Sequence, residues 1–226
     1  MGGQACVFYG AAQFSRDVDF AVLCDVENLQ RLAAALCDLD AERVAVPPLE
    51  ADYLRRGHAV HFRCHCPEAA QLRIDVMSTM RGVDPFPDLW ERRTTLTDSG
   101  DATWDVMNIQ DLVLAKKTQR DKDWPMIRAL CEAHFTRHVA NPRPADIRFW
   151  LREARSLEIL RQVAAEYPEV CAALVEQRPL LSLVTTADDA ELDKVLMEEE
   201  LAERGRDREY WRPLRAELER LRHQRA

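Results

Sequence analysis

Phe14-Ser15-Arg16-Asp17-Val18-Asp19-Phe20-Ala21-Val22-Leu23 decides how this chain is read. Successive side chains of a strand point to opposite faces. Asp17 and Asp19 therefore share one face, and Val18, Phe20 and Val22 share the other, where a core can take them. Acids are depleted within strands. Two of them side by side repel each other unless a cation or a proton stands between them. A divalent ion removes that cost, and hard cations such as Mg²⁺ prefer oxygen ligands. The plainer reading of the pair is an exposed strand end or a helix-cap cluster.

Upstream, Gly2-Gly3-Gln4-Ala5 opens the chain, and Val7-Phe8-Tyr9-Gly10 separates it from the aspartates. A glycine pair at a turn lets backbone N–H groups approach an anion such as a phosphate. Downstream, Leu72-Arg73-Ile74-Asp75-Val76-Met77 is a second strand-like run. Its alternation puts Leu72, Ile74 and Val76 on one face and Arg73, Asp75 and Met77 on the other. His58 to Cys64 alternates as well, with Val60 and Phe62 together. The connector Cys66 to Gln71 makes the two runs an antiparallel pair. With the right sheet register, Asp75 faces the same side as Asp17 and Asp19. A salt bridge to Arg73 or Arg81 is the competing role for Asp75.

This arrangement resembles the polymerase-beta-like nucleotidyltransferase superfamily. Its pattern is a Gly-Gly or Gly-Ser turn, a Ser/Thr-x-Asp-x-Asp strand, and a third Asp on a neighbouring strand. Here these read as Gly2-Gly3, Ser15-Arg16-Asp17-Val18-Asp19 and Asp75. The resemblance is closest to small bacterial members that include the toxins of abortive-infection and toxin–antitoxin pairs. It implies that Asp17 and Asp19 bind the Mg²⁺ carrying an NTP's triphosphate. Asp75 joins them on a second Mg²⁺ and helps deprotonate an acceptor hydroxyl. Gly2, Gly3 and Ser15 cradle the β- and γ-phosphates. Members carry a helix and a strand ahead of the glycine pair, so the resemblance implies a core trimmed at its N-terminus here.

Asp111-Leu112-Val113-Leu114-Ala115-Lys116-Lys117, followed by Arg120-Asp121-Lys122-Asp123, looks like the family's Asp-Leu…Lys…Arg-x-Lys-Asp element. There a helix lysine reaches the nucleotide and a following Asp orients it. Lys116 and Lys117 both suit that place, and the spacing to Leu112 favours Lys116. Asp123 also reads as a helix cap before Trp124-Pro125. The resemblance thus implies NMP transfer from an NTP to a hydroxyl of RNA, a protein or a small molecule, with RNA or protein ranked first. A cognate antitoxin or other neighbour protein is an expected partner. The alternative is a non-catalytic nucleotide-binding or partner-docking module on the same fold.

Composition sets the frame. At 226 residues and 47% hydrophobic, the chain can bury a real core as one domain or two. No run of about 18 uncharged apolar residues predicts a membrane span, and no signal peptide is read. The seven scattered cysteines are then expected as reduced thiols in a cytoplasmic protein. A net charge of −8 argues against a general nucleic-acid coat protein. Five arginines from Arg204 to Arg215 read as a solvated, salt-bridged helix or as an RNA- or partner-docking surface. The strand alternation separates Cys64 and Cys66 from His61 and His65, against a zinc site.

The fold expected is α/β (α+β): a small mixed-sheet core over residues 1–105, then a helical half over 106–226. Leu29, Leu32, Ala33 and Leu36 predict a helix over Asp25 to Leu39. A short helix is expected over Leu49 to Arg56. Arg81 to Thr103 reads as loop-rich, with one short strand near Thr94 to Thr97. Asn108 caps a helix, and Pro125 opens another. Further helices are predicted over Pro144–Glu166, Pro168–Glu176, Asp188–Glu203 and Arg208–His223. The five tryptophans and the stripe Ile147, Leu151, Leu157 and Leu160 are expected to pack.

Overall fold

The computed structural model describes residues 1–97 and 100–224. The protein is mixed α/β, with a four-stranded mixed sheet and its helices first and a largely helical half after. It divides into two compact units: residues 1–8, 12–115 and 209–226, and residues 9–11 and 116–208.

In the first unit, helix α1 (Gly2–Phe8) leads to strand β1 (Asp17–Ala21). Helix α2 (Val26–Asp38) follows, and its first turn is closed by Asp25, whose carboxylate accepts from the backbone N–H of Asn28 at 2.7 Å. That satisfies one of the donors a helix start leaves open. Strand β2 (Ala41–Arg43), helix α3 (Ala51–Arg55), strand β3 (Val60–Cys64) and strand β4 (Arg73–Met77) complete the sheet. The strand order is β1-β4-β3-β2, parallel between β1 and β4 and antiparallel elsewhere. On one face Val22, Val60, Phe62, Cys64, Ile74 and Val76 pack with Leu36 of α2 and Leu54 of α3. Leu29 and Leu32 lie against the same cluster.

Phe20 departs from expectation. It stands opposite Val76, which is fully buried, yet Phe20 is 44% exposed. Strand β1 is an edge strand, so its residues lean on one neighbouring strand only. Phe20 instead lines a groove with Phe86, Leu89, Trp90, Val106 and Met107.

Over Arg81 to Thr103, the described residues carry the strand expected near Thr94–Thr97 and more besides. The chain there forms helix α4 (Phe86–Arg92) and a hairpin of β5 (Thr94–Thr97) and β6 (Thr103–Val106). Helix α5 (Ile109–Lys116) follows, with the Asn108 side chain accepting from the Gln110 N–H at 2.7 Å.

The second unit is built from α6 (Asp123–His138), α7 (Pro144–Glu153), α8 (Leu157–Glu166), α9 (Pro168–Leu174) and the first part of α10 (Asp189–His223). The single helix expected over Pro144–Glu166 breaks at Ala154-Arg155-Ser156. Arg178 grips the break: its guanidinium donates to the carbonyls of Leu151 and Ala154 and to Glu199. Carbonyls at a helix end need such donors. The two helices expected over Asp188–Glu203 and Arg208–His223 are instead one, running through Gly205 and Pro213. Ion pairs such as Arg204–Glu200, Arg206–Glu203 and Arg212–Glu209 line it, as expected of a mixed-sign helix. Trp124, Trp150, Ile147, Leu151 and Leu160 are buried, while Trp90 and Trp104 are exposed. No described helix is long and apolar enough to cross a membrane.

Candidate functional site

Strand register decides what meets on the polar face of the sheet. Asp17 stands opposite Arg73, and Asp19 stands opposite Asp75. On the far side of β4, His61 stands opposite Asp75. Side chains directly opposite in a pair share a face. One face of β1, β4 and β3 therefore carries Asp17, Asp19, Arg73, Asp75 and His61.

The N-terminus closes on this face. The Met1 ammonium donates to the Asp19 carbonyl at 2.8 Å, and the Gly3 N–H donates to Asp19 Oδ2 at 3.2 Å. The Gln4 amide donates to the Ser15 carbonyl, and the Ser15 hydroxyl donates to the Asp17 carbonyl at 2.9 Å. Both glycines stand close against side chains of this face. A Cβ on Gly2 would lie 1.8 Å from Asp19 Oδ2, and one on Gly3 would lie 2.3 Å from Ser15 Oγ. Gly2 also has a φ of +66°, a conformation that side-chain-bearing residues avoid. The glycine pair, Ser15 and the Asp-x-Asp pair thus meet in one place, with the pair opening a short helix.

Asp75 is held on two sides. Arg73 Nε donates to its Oδ1 at 2.8 Å, and His61 Nδ1 lies 2.8 Å from the same oxygen. Arg73 Nη2 also lies 3.2 Å from His61 Nδ1. Burial pushes the Asp75 carboxyl up, but the hydrogen bonds and charges of His61 and Arg73 outweigh it, so it sits below the usual carboxylate range. The hydrogen bond to Asp75 raises Arg73, and the charges of Asp75, Asp17 and Asp19 add to that. Arg73 is therefore a fixed positive charge among three carboxylates.

These donors suit a hard cation in kind: three carboxylates, all oxygen, on adjacent strands. As they stand, no three His, Cys, Asp or Glu side chains among the described residues are gathered to hold a metal ion. Asp75 Oδ1 is committed to Arg73 and His61.

Lys116 and Asp123 belong to the second unit. Lys116 Nζ pairs with Asp123 Oδ1 at 3.2 Å, and both side chains are buried. Thr118 and Arg120 donate to Asp123 Oδ2, Arg120 at 2.7 Å. Burial raises the Asp123 carboxyl, but the Lys116 charge and the Thr118 and Arg120 hydrogen bonds win, and it lies below its usual value. Asp123 is the hub of a charge network rather than a cap, since Lys122 holds the cap position of α6. Lys117 pairs with Glu153 at 2.6 Å. Asp111 of the first unit is buried and gripped by both arms of Arg92, at 3.1 and 2.9 Å.

One residue on the carboxylate face, His61, is not placed there by the sequence, because its parity with Asp75 needs the β3–β4 register, which no local signal fixes. Arg73 shares the face of Asp75 by strand alternation, and only its place opposite Asp17 comes from the β1–β4 register.

Compared with models of known protein families, the chain matches none. Compared with curated proteins, it also matches none.

Proposed function

We propose that this protein is a Mg²⁺-dependent nucleotidyltransferase that moves an NMP from an NTP to a hydroxyl of RNA, a protein or a small molecule. The observation that carries this reading is the strand register that sets Asp19 opposite Asp75, with Asp17 on the same face. The meeting of Gly2, Gly3 and Ser15 with that pair supports it. Asp17 and Asp19 would hold the ion carrying the triphosphate, and all three acids would hold a second. Bound there, magnesium would neutralise the triphosphate and favour in-line displacement. Asp75 would accept the proton of the acceptor hydroxyl. That oxygen forms the new bond to the α-phosphorus, the α–β phosphoanhydride bond breaks, and pyrophosphate leaves. Within the second unit, Lys116 is paired with Asp123 and Lys117 with Glu153.

The test is label transfer from each of the four NTPs in Mg²⁺, with total RNA and cell extract as acceptors. A D17A/D19A double variant should lose transfer by more than about a thousandfold, the scale expected when transition-state charge stabilisation is removed. Transfer that survives in that variant, or no transfer with any NTP, would overturn the reading.

A second reading has one observation in its favour. Asp75 is already satisfied by Arg73 and His61, as in a fold that keeps its acids for structure and docks a partner, such as a cognate antitoxin. A nucleotide-independent partner complex, unchanged in the D17A/D19A variant, would favour it.

A further inference from the structure

Phe14 is the most exposed large apolar side chain among the described residues, at 71%. It stands shortly before β1 and two residues ahead of Arg16, which is exposed as well. Among the described residues Arg16 has no ion-pair partner. A bare ring beside an unpaired guanidinium has the make-up of an interface anchor, because aromatic residues and Arg are enriched where protein interfaces are most tightly buried.

The same compact unit carries a receptor of opposite charge. Phe20 projects from β1 on the side away from Asp17 and Asp19, into the groove it shares with Phe86, Trp90 and Val106. Phe86 and Trp90 stack with their rings 5.8 Å apart. At the rim Arg93 donates to Asp105 at 2.9 Å, and its guanidinium lies 4.0 Å over the Trp90 ring. The indole face thus already takes a guanidinium, as such faces do. Residues 84–106, which supply most of the walls, carry six acids against two arginines, a net charge of −4. Such a field repels a phosphate-bearing partner and attracts a cationic one. Phe20 and Trp90 are 44% and 43% exposed, so the groove is shallow. It suits a single side chain borne on a protein surface better than a small molecule, which a pocket buries by about 70–90%.

We propose that the groove docks a second copy of this chain, whose Phe14 ring fills it and whose Arg16 lies against its acidic rim. Every copy carries both the knob and the groove. The exchange can therefore be mutual, as in the closed two-fold pairs commonest among homo-oligomers. The contact needs neither metal nor nucleotide and does not rest on the nucleotidyltransferase reading.

Sedimentation velocity of the full chain over a range of concentrations is the test. The parent should dimerise. Phe14→Ser should weaken the dimer by about thirtyfold or more, the scale of a buried interface anchor. Phe20→Ser and Trp90→Ala should each weaken it from the groove side. Arg16→Glu should weaken it by about tenfold while Arg16→Lys stays near the parent, since the rim responds to charge. Mixing adds a check that only this contact passes. Phe14→Ser keeps its groove and Trp90→Ala keeps its knob, so a fluorescent Phe14→Ser copy should co-sediment with Trp90→Ala although neither pairs with itself. Circular dichroism establishes that each variant is folded, and Phe20→Ser replaces Trp90→Ala in the mixture if the latter is not.

A parent that stays monomeric at every concentration would overturn the proposal and leave the groove to a different protein or to a small ring. A dimer left intact by Phe14→Ser would overturn it too, as would one that survives both groove substitutions. Nor does it stand if the mixture forms no joint species.

Discussion

At the scale of single residues, burial and pairing separate side chains that look alike in sequence. Val22, Phe20 and Phe62 all stand on the apolar face of the sheet, yet only Phe20 is left at 44% exposure. Phe20→Ser should therefore cost less than about 1 kcal/mol, while Phe62→Ala should cost about 3–5 kcal/mol. Urea denaturation of both variants checks the contrast. His134 gives a pH test. It is buried, accepts at Nδ1 from Trp150 Nε1 at 2.9 Å, and turns Nε2 toward Asp146 at 3.6 Å. Burial first, then the neighbouring charge of His138, pushes its pKa from 6.5 to about 4. The folded value lies below the unfolded one, so the unfolded chain binds the proton first. The contribution is whole above the unfolded value of 6.5 and is lost as pH falls toward about 4. At roughly 1.4 kcal/mol per pH unit the full loss is about 3 kcal/mol. Stability measured across this window should fall in the parent, and the fall should be markedly smaller in His134→Gln. An equal fall in both proteins would refute the assignment. The same scale was the most legible one for the site. The Gly-Gly, Ser-x-Asp-x-Asp and Asp75 signals are all local. The placing of Gly2 and Gly3, each backed against a site side chain, was not readable, because it comes from an 18-residue return of the chain seen in the Met1–Asp19 hydrogen bond.

At the scale of elements, what was legible had a strong local signal. Helix α2 carries both its apolar stripe and its Asp25 cap, and the antiparallel β3–β4 pair carries alternation on both sides of a short connector. The parallel β1–β4 register was not legible, because it depends on a crossover of more than fifty residues rather than on a turn. Strand β2 is three residues long, too short for any alternation to show. Helix α4 hides between Pro85 and the hairpin, and its Arg92 draws order from a buried partner, Asp111, far along the sequence. The two helices expected over Asp188–Glu203 and Arg208–His223 leave a gap around Gly205, a residue that weakens a helix, while Pro213 falls inside the second. The i,i+3 and i,i+4 ion pairs along α10 and the burial of Leu192, Leu196 and Leu214 keep it continuous. Gly205 is therefore a local weakness with nothing near it: an added Cβ would meet no atom within 4 Å. Gly205→Ala should stabilise the protein by about 0.5–1 kcal/mol, read as a shift of the urea midpoint without a change of slope. A loss of stability would mean that the glycine serves a bend absent from this structure.

At the scale of the whole molecule, the order of the chain and the make-up of its compact units differ. Residues 209–226 belong to the first unit, although nearly a hundred residues of the second unit, 116–208, separate them from its other members. Their contacts there are specific. Glu217 accepts from the fully buried His58 at 2.7 Å and pairs with Arg56 at 2.9 Å. Leu214 is buried, and Tyr210 stands so close to Gly57 that a Cβ there would lie 2.2 Å from its hydroxyl. Gly57, with a φ of +98°, is the residue that permits this approach. Ending the chain at Arg208 would remove all of these at once. His58 would lose the partner of its Nε2, while its Nδ1 has none to begin with. An abandoned buried polar group and the loss of a packed Leu together cost about 3 kcal/mol or more. The cost should fall on the first unit. Hydrogen exchange of the shortened chain should show the amides of β3, Val60–Cys64, losing protection. Those of α8, Leu157–Glu166, whose buried side chains belong to the other unit, should keep theirs. Equal loss in both strands and helices would mean that the two units unfold as one. No loss in β3 would mean that the C-terminal segment is an ornament on a sheet that stands without it.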